Sequence, residues 1–292
     1  MNDVKQILIT GANGQLGKEL LDLFSQHPNM EVLPTDVDTL DITSDAAVNA
    51  FFNAHHIDCV VNCAAFTAVD GAESQQDLCR LINVDGPRVL ATAARDHGAR
   101  MIHISTDYVY NGDACTPYQE DALTDPQSVY GVTKLEGERQ VLDTLGENAI
   151  ILRTAWLYSP HGKNFVKTML DLGHTRQQLT VVFDQIGSPT YARDLASAII
   201  TITETQEWKH GIYHYSNEGA ISWYDFTKAI HRIAGITGCR VLPCRSADYP
   251  TPAHRPSYSV LDKTKIKKTY NIEIPYWEDS LHHCIKRIMN KH

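Results

Sequence analysis

Several features are scarce in this 292-residue sequence, and each scarcity removes a class of function. No apolar run approaches the roughly 20 residues needed to span a bilayer, so no membrane partner is expected. The first 20 residues already read as a strand and a glycine turn, leaving no room for a signal peptide. Cysteines number seven, an odd count, and are scattered. Cys59 and Cys63 flank the apolar run "CVVNC" and read as buried free thiols, which fits a reducing cytoplasm. His282 and His283 beside Cys284 lack further spaced ligands, so no metal is expected there. Positive charge is also short. With 26 Lys and Arg against 35 Asp and Glu, the net charge of −9 disfavours a nucleic-acid partner, though not a local pocket for a small phosphate. Internal repeats, low-complexity segments and clear linkers are absent. What remains is ordinary globular composition, 43% hydrophobic and 21% charged, enough for one large domain or two closely packed ones.

The first half alternates short apolar runs with helical periods. "QILIT" (6–10), "EVLPT" (31–35), "DCVVN" (58–62), "RMIHIS" (100–105) and "AIILRT" (149–154) read as strands. Helices are predicted over 15–26, with Leu16, Leu20, Leu23 and Phe24 inward, and near 44–55, 74–97 and 127–145. This rhythm predicts an α/β fold, a doubly wound parallel sheet of the Rossmann type. It fades after residue 155, where short strands ("LTVV", "GIYHYS") mix with helices (163–172, 191–205, 222–235) and the Pro-rich turn "YPTPAHRP". Residues 1–154 are therefore expected to bind a dinucleotide. Residues 155–292 form a smaller, intertwined substrate region, with some segments returning to the sheet.

"ILITGANGQLG" (7–17) carries Gly11, Gly14 and Gly17 straight from a strand into a helix. Glycines at a first β-α junction permit a tight turn and let backbone amides approach a pyrophosphate. The spacing is G-x-x-G-x-x-G, and a turn that only packs is the competing reading. At the end of the second strand stands Asp36, whose carboxylate would accept hydrogen bonds from the adenosine ribose and repel a 2′-phosphate. Residues 31–45 hold no arginine, which tilts the cofactor toward NADH over NADPH. A solvated loop aspartate is the alternative.

A phenol and an ammonium one helical turn apart occur twice, as Tyr130/Lys134 in "VYGVTK" and Tyr224/Lys228 in "WYDFTK". Only context separates them. The third strand leads into Ala64 and Ala65, small enough for a cofactor to lie across its end, and the fourth delivers Ser105 and Thr106. Tyr130 follows near the start of the next helix and can return to that edge; Tyr224 has no such hydroxyl cluster before it. The expected chemistry is ketone reduction, with Tyr130 as acid, Lys134 lowering its pKa and holding the cofactor ribose, and Thr106 polarising the substrate oxygen. In the second region Trp156 follows "ILRT" and offers a flat indole to a deoxysugar, or is a core residue. Arg255 in "PAHRP" suits a diphosphate, or is a surface arginine.

"TGANGQLG", "STDYVY" and "YGVTK" resemble, in order and spacing, the extended short-chain dehydrogenase/reductase superfamily. "NCAAFTAVDGAE" (62–73), "LRTAWLY" (152–158), "DQIGSPTYARDLA" (184–196) and "YPTPAHRPSYSVLD" (249–262) are more narrowly similar to the dTDP-4-dehydrorhamnose reductases, over essentially the whole chain. That resemblance implies a cofactor held by Asn13, Gly14, Gln15, Leu16, Asp36, Asp41, Ile42, Ala65, Phe66, Thr67, Tyr130 and Lys134. It implies a sugar held by Thr106, Asp107 and Trp156. The implied reaction is NAD(P)H-dependent reduction of the 4-keto group of dTDP-4-dehydro-β-L-rhamnose, in a monomer or weak homodimer.

Two departures stand out. Many members read Val-Asp-Lys-Ala-Glu where this chain has Gly71 in place of the lysine, and Arg193 occupies a position that some members fill with a magnesium-site glutamate, although Glu19 matches another. Rival readings are another nucleotide-sugar reductase, an epimerase or a dehydratase. Dehydratases typically carry Asp-Glu after the strand-end threonine, whereas here Thr106 is followed by Asp107 and Tyr108. A non-catalytic relative, like the methionine adenosyltransferase regulatory β subunit, would need no acid, yet Tyr130, Lys134 and Thr106 are all present.

Overall fold

The structure, a computed structural model, describes residues 4–290. Its centre is a six-stranded, fully parallel sheet. In chain order the first half runs β1 (Lys5–Thr10), α1 (Gln15–Phe24), β2 (Met30–Thr35), α2 (Asp45–Ala54), β3 (Cys59–Asn62), α3 (Val69–Ala72), α4 (Gln76–Arg80), α5 (Gly86–Asp96), β4 (Arg100–Thr106), α6 (Val129–Leu145) and β5 (Ala149–Thr154). The second half adds β6 (Leu157–Tyr158), α7 (Phe165–Thr175), β7 (Gln178–Val182), β8 (Ile186–Gly187), β9 (Thr190–Tyr191), α8 (Ala192–Glu204), β10 (Gly211–His214), β11 (Ile221–Ser222), α9 (Trp223–Ile233), β12 (Arg240–Cys244), α10 (Thr264–Tyr270) and α11 (Trp277–Met289). Sheet order is β10-β5-β4-β3-β1-β2, so the winding reverses at β1 and opens a crevice beside the carboxyl ends of β1 and β3.

Strand residues alternate between two apolar layers, as the two-residue period of a strand requires. Ile7, Ile9, Val61, Ile102 and Leu152 face α1 and α8, while Leu8, Val60, Met101 and Ile151 face α2, α5 and α6. Pro34 is tolerated because β2 is an edge strand, paired only with β1. A third cluster, built on Tyr158, Phe226, Ile230, Trp277 and Leu281, belongs to the second half of the chain.

The tertiary structure adjusts two expectations. The single helix expected over 74–97 is α4 and α5, joined by a π-helical turn at Leu81–Asp85 that turns Asn83 inward and buries it. "GIYHYS", expected in the second region, supplies β10, which pairs in register with β5 as the sixth strand of the main sheet. α8 and α10 also return to the first half, through Leu195 and Ile199 and through Ile266 and Tyr270. All seven cysteines are free, with burial pushing both Cys59 and Cys63 up to about 12. Among the described residues, no helix is long and apolar enough to cross a membrane.

Candidate active site

The glycine turn sits in the crevice. Gly11 has φ +66°, and a Cβ there would lie 2.8 Å from the Ala64 amide nitrogen, so only glycine lets the turn rest on the end of β3. No side chain caps α1, whose first turn is Gln15 to Gly17, so its first amides have no side-chain partner, as an anion site would require. The Asp36 carboxylate accepts from the Asn13 amide at 2.9 Å, which ties the tip of β2 to the turn. These features fit a dinucleotide. Other expected contacts differ in kind. Leu16 and Ile42 are buried apolar side chains, which offer a ligand no polar group beyond their backbone. The Asp41 carboxylate accepts from both the amide and the hydroxyl of Thr43. Gln15 accepts from Asn164 at 2.9 Å, a link from the second region to the turn that the sequence did not suggest. Ala65 and Thr67 flank Phe66, whose amide and carbonyl are both held by the Asn83 side chain at 2.8 and 3.1 Å.

Thr106 ends β4, and α6 begins beside it with Ser128 accepting from the Gly131 amide as its cap. A side chain at Gly131 would run into the Tyr108 carbonyl, so glycine allows this close approach. Tyr130 is thereby brought edge-on to Tyr108, with ring centroids 5.6 Å apart. Burial pushes the Tyr130 phenol well above its ordinary value, and the Thr106 hydroxyl exerts the largest opposing influence. Lys134, expected to lower this pKa, is itself buried, and its Nζ donates to the Ile104 carbonyl at 2.7 Å. Desolvation lowers Lys134 to about 8, against the favourable charge of Glu138 one turn on. A phenol with a raised pKa is a weaker acid, so it keeps its proton at neutral pH until a strongly basic oxygen forms beside it.

Asp107 is buried beside Thr106. Its Oδ1 accepts from the Thr106 hydroxyl at 3.1 Å, while Oδ2 has no partner. Burial raises its pKa to about 6, with hydrogen bonding by Ser259 and Thr106 pulling back. The Ser105 hydroxyl is likewise buried without a partner. Unsatisfied polar atoms at a strand end mark a place for a polar ligand. Ser259, which the sequence reading missed, closes this site from the second region. Arg255 donates to Asp70 at 2.7 Å and to the Tyr108 hydroxyl at 3.3 Å, so its loop is strapped over the same edge. Trp156 has φ +47°, unusual for a bulky residue, and one indole face is stacked on Trp223 at 3.5 Å. Tyr224, beside that tryptophan, packs against the third apolar cluster, and nothing brings it to β4.

A match to the RmlD substrate binding domain model spans residues 5–290. The chain belongs to that family. A relative from Aggregatibacter actinomycetemcomitans named dTDP-4-dehydrorhamnose reductase is 42% identical over 287 residues, 94% of this chain and 97% of the relative. Among solved structures, a dTDP-4-dehydrorhamnose reductase from Clostridium acetobutylicum is 47% identical with a TM-score of 0.93, covering 97% of this chain and 99% of the other. A dTDP-4-dehydrorhamnose reductase from Bacillus anthracis, solved in complex with NADP, is 38% identical with the same TM-score and coverage.

Within this RmlD-family chain, Glu19, Asp22 and His161 bring their ligand atoms within 4.8 Å of one another, the one such cluster among the described residues. Glu19 is already met by Arg287, at 2.7 and 2.8 Å, and by Arg193 at 3.3 Å, and Arg287 also reaches Asp22. Guanidinium groups thus supply the positive charge that these carboxylates call for.

Proposed function

We propose that this chain is an NAD(P)H-dependent reductase of a dTDP-linked 4-keto-6-deoxyhexose, converting dTDP-4-dehydro-β-L-rhamnose to dTDP-β-L-rhamnose. One observation carries the reading: Thr106, Tyr130 and Lys134 gather at the carboxyl end of β4, next to the unpaired oxygen of Asp107. When bound, the nicotinamide supplies hydride to the ketone carbon. Tyr130 then gives its proton to the ketone oxygen, which Thr106 helps to polarise. Lys134 holds the nicotinamide ribose and offers positive charge as the phenolate forms. Asp107 accepts from a sugar hydroxyl through Oδ2. The Trp156 indole packs on the sugar, and Arg255 exchanges Asp70 for the diphosphate. In this reading residues 1–154 carry the cofactor and 155–292 mainly the nucleotide sugar. The names and NADP complex of the relatives support the chemistry, while Asp36 supports NADH as a competent alternative.

A panel of dTDP-, GDP- and UDP-linked 4-ketosugars, assayed by NADH and NADPH oxidation, tests this. The expected result is turnover of the dTDP-linked 6-deoxy ketosugar above all others. Oxidation of neither cofactor with any ketosugar would remove the reductase reading.

A further inference from the structure

Beneath the site, a chain of buried polar side chains crosses three neighbouring strands of the sheet. Thr10, Asn62 and His103 lie at the ends or within β1, β3 and β4, and all three are at most 1% exposed. The Thr10 hydroxyl donates to Asn62 Oδ1 at 2.7 Å, and the Ala64 backbone amide donates to the same oxygen at 3.1 Å. A backbone N–H can only donate, so it fixes which end of the Asn62 amide is oxygen. Nδ2 of Asn62 is then the atom that meets His103 Nδ1 at 3.0 Å, and His103 must accept there. A neutral imidazole accepting at Nδ1 carries its proton on Nε2. That nitrogen stands 3.3 Å from Lys134 Nζ. Burial holds the His103 pKa well below its ordinary value, with the Lys134 charge adding to this, so the ring does not gain a second proton.

The direction of the last contact follows. An ammonium has only donors and would face an N–H, whereas a neutral amine has a lone pair to accept it while still donating to the Ile104 carbonyl. We propose that Thr10, Asn62 and His103 form a fixed hydrogen-bond chain whose terminal N–H makes Lys134 a titrating amine instead of a permanent cation. His103 is thus a positioning residue that acts through Lys134. Every element packed around the amine contributes a group. α6 offers Glu138, engaged with Arg153. α4 offers the Cys79 thiol, and the end of β3 the Cys63 thiol, itself held neutral by burial. β4 offers His103 and the Ile104 carbonyl. Glu138 exerts the largest influence against loss of the proton, opposing the desolvation that favours it.

The consequence for catalysis rests on the proposed reductase reading, but the tautomer does not. The first measurement is therefore on the wild-type chain without substrate, labelled with 15N in histidine and lysine. Long-range imidazole correlation spectra should show His103 as the Nε2–H tautomer at every pH, and the Lys134 amine should titrate near 8. An Nδ1–H tautomer, or an ammonium that persists beyond pH of about 10, the usual lysine range, would overturn the proposal. The second measurement uses His103→Met, which removes the N–H that faces Lys134. With an unchanged circular dichroism spectrum, the alkaline limb of the kcat profile should move up by about one pH unit, a tenfold change in acid constant. A folded variant whose limb does not move would also refute it. If the wild type reduces no ketosugar, the function fails on its own and the tautomer still decides this inference.

Discussion

Replacing Glu138 by Gln should cost more stability than any exposed charge in the molecule. Glu138 lies in α6, one turn beyond Lys134, and Arg153 lies at the end of β5; both side chains are 2% exposed. The guanidinium donates to Glu138 through Nε, at 2.9 and 3.2 Å, and through Nη2 at 2.6 Å. Its Nη1 donates to the Tyr110 hydroxyl at 2.7 Å, and that hydroxyl meets His214 Nε2 at 2.7 Å. Glutamine keeps the shape but leaves the guanidinium buried without its counter-charge. Breaking a buried pair in this way costs about 3–5 kcal/mol. At roughly 2–4 °C per kcal/mol for a chain of this size class, Tm should fall by about 6–20 °C. Urea unfolding followed by far-ultraviolet circular dichroism measures the loss, and an unchanged m-value keeps the comparison valid. The double variant Glu138→Leu with Arg153→Met should recover much of it, because neither charge then remains buried. A loss under about 1 kcal/mol, the worth of an exposed pair, would refute the argument.

Tyr130→Phe should lower kcat on the order of 10²–10⁴-fold, the usual worth of a positioned acid, with cofactor affinity little changed. Tyr224→Phe should leave kcat nearly intact, and equal losses in the two would sink the assignment of the acid. Asp36→Ala should shift the ratio of kcat/KM values toward NADPH; a wild type that already ignores NADH would contradict the role given to Asp36. Calorimetry should find that Arg255→Ala weakens dTDP and the sugar nucleotide alike, while Trp156→Ala weakens only the latter. Unchanged dTDP affinity in Arg255→Ala takes that arginine out of the site. Asp107 has a folded pKa of about 6, raised by burial above its unfolded value. Its stabilising contribution is therefore complete below pH of about 4 and lost as pH rises through 6. Asp107→Asn cannot ionise, so it should gain stability relative to wild type at pH of about 8, by up to about 3 kcal/mol, and little at pH of about 4. A Tm difference that does not vary with pH would exclude this.

The sequence by itself determined the five strands of the first half, their helices and the parallel winding. It did so because burial on both faces of a sheet leaves contiguous apolar runs, and helices that cover it leave a 3.6-residue period. It also separated Tyr130 from Tyr224, since a strand-end hydroxyl cluster precedes only the first. The glycine turn was legible for the same local reason: Gly11 must adopt a positive φ against the end of β3. Tertiary structure decided what pairs across distance. Only the folded chain puts "GIYHYS" in the main sheet, since a strand's pattern does not say which neighbour it joins. The π-turn that aims Asn83 at Phe66 depends on helix packing, not on propensity. Polar partners far apart in sequence leave no periodic trace, so Arg255 with Asp70, Glu19 with Arg287 and Asp107 beside Ser259 were not readable. His103 did carry a hint, a polar residue inside the apolar run "RMIHIS". Its meaning came from the two atoms it touches, because the direction of a hydrogen bond is set by neighbours that only the fold brings together.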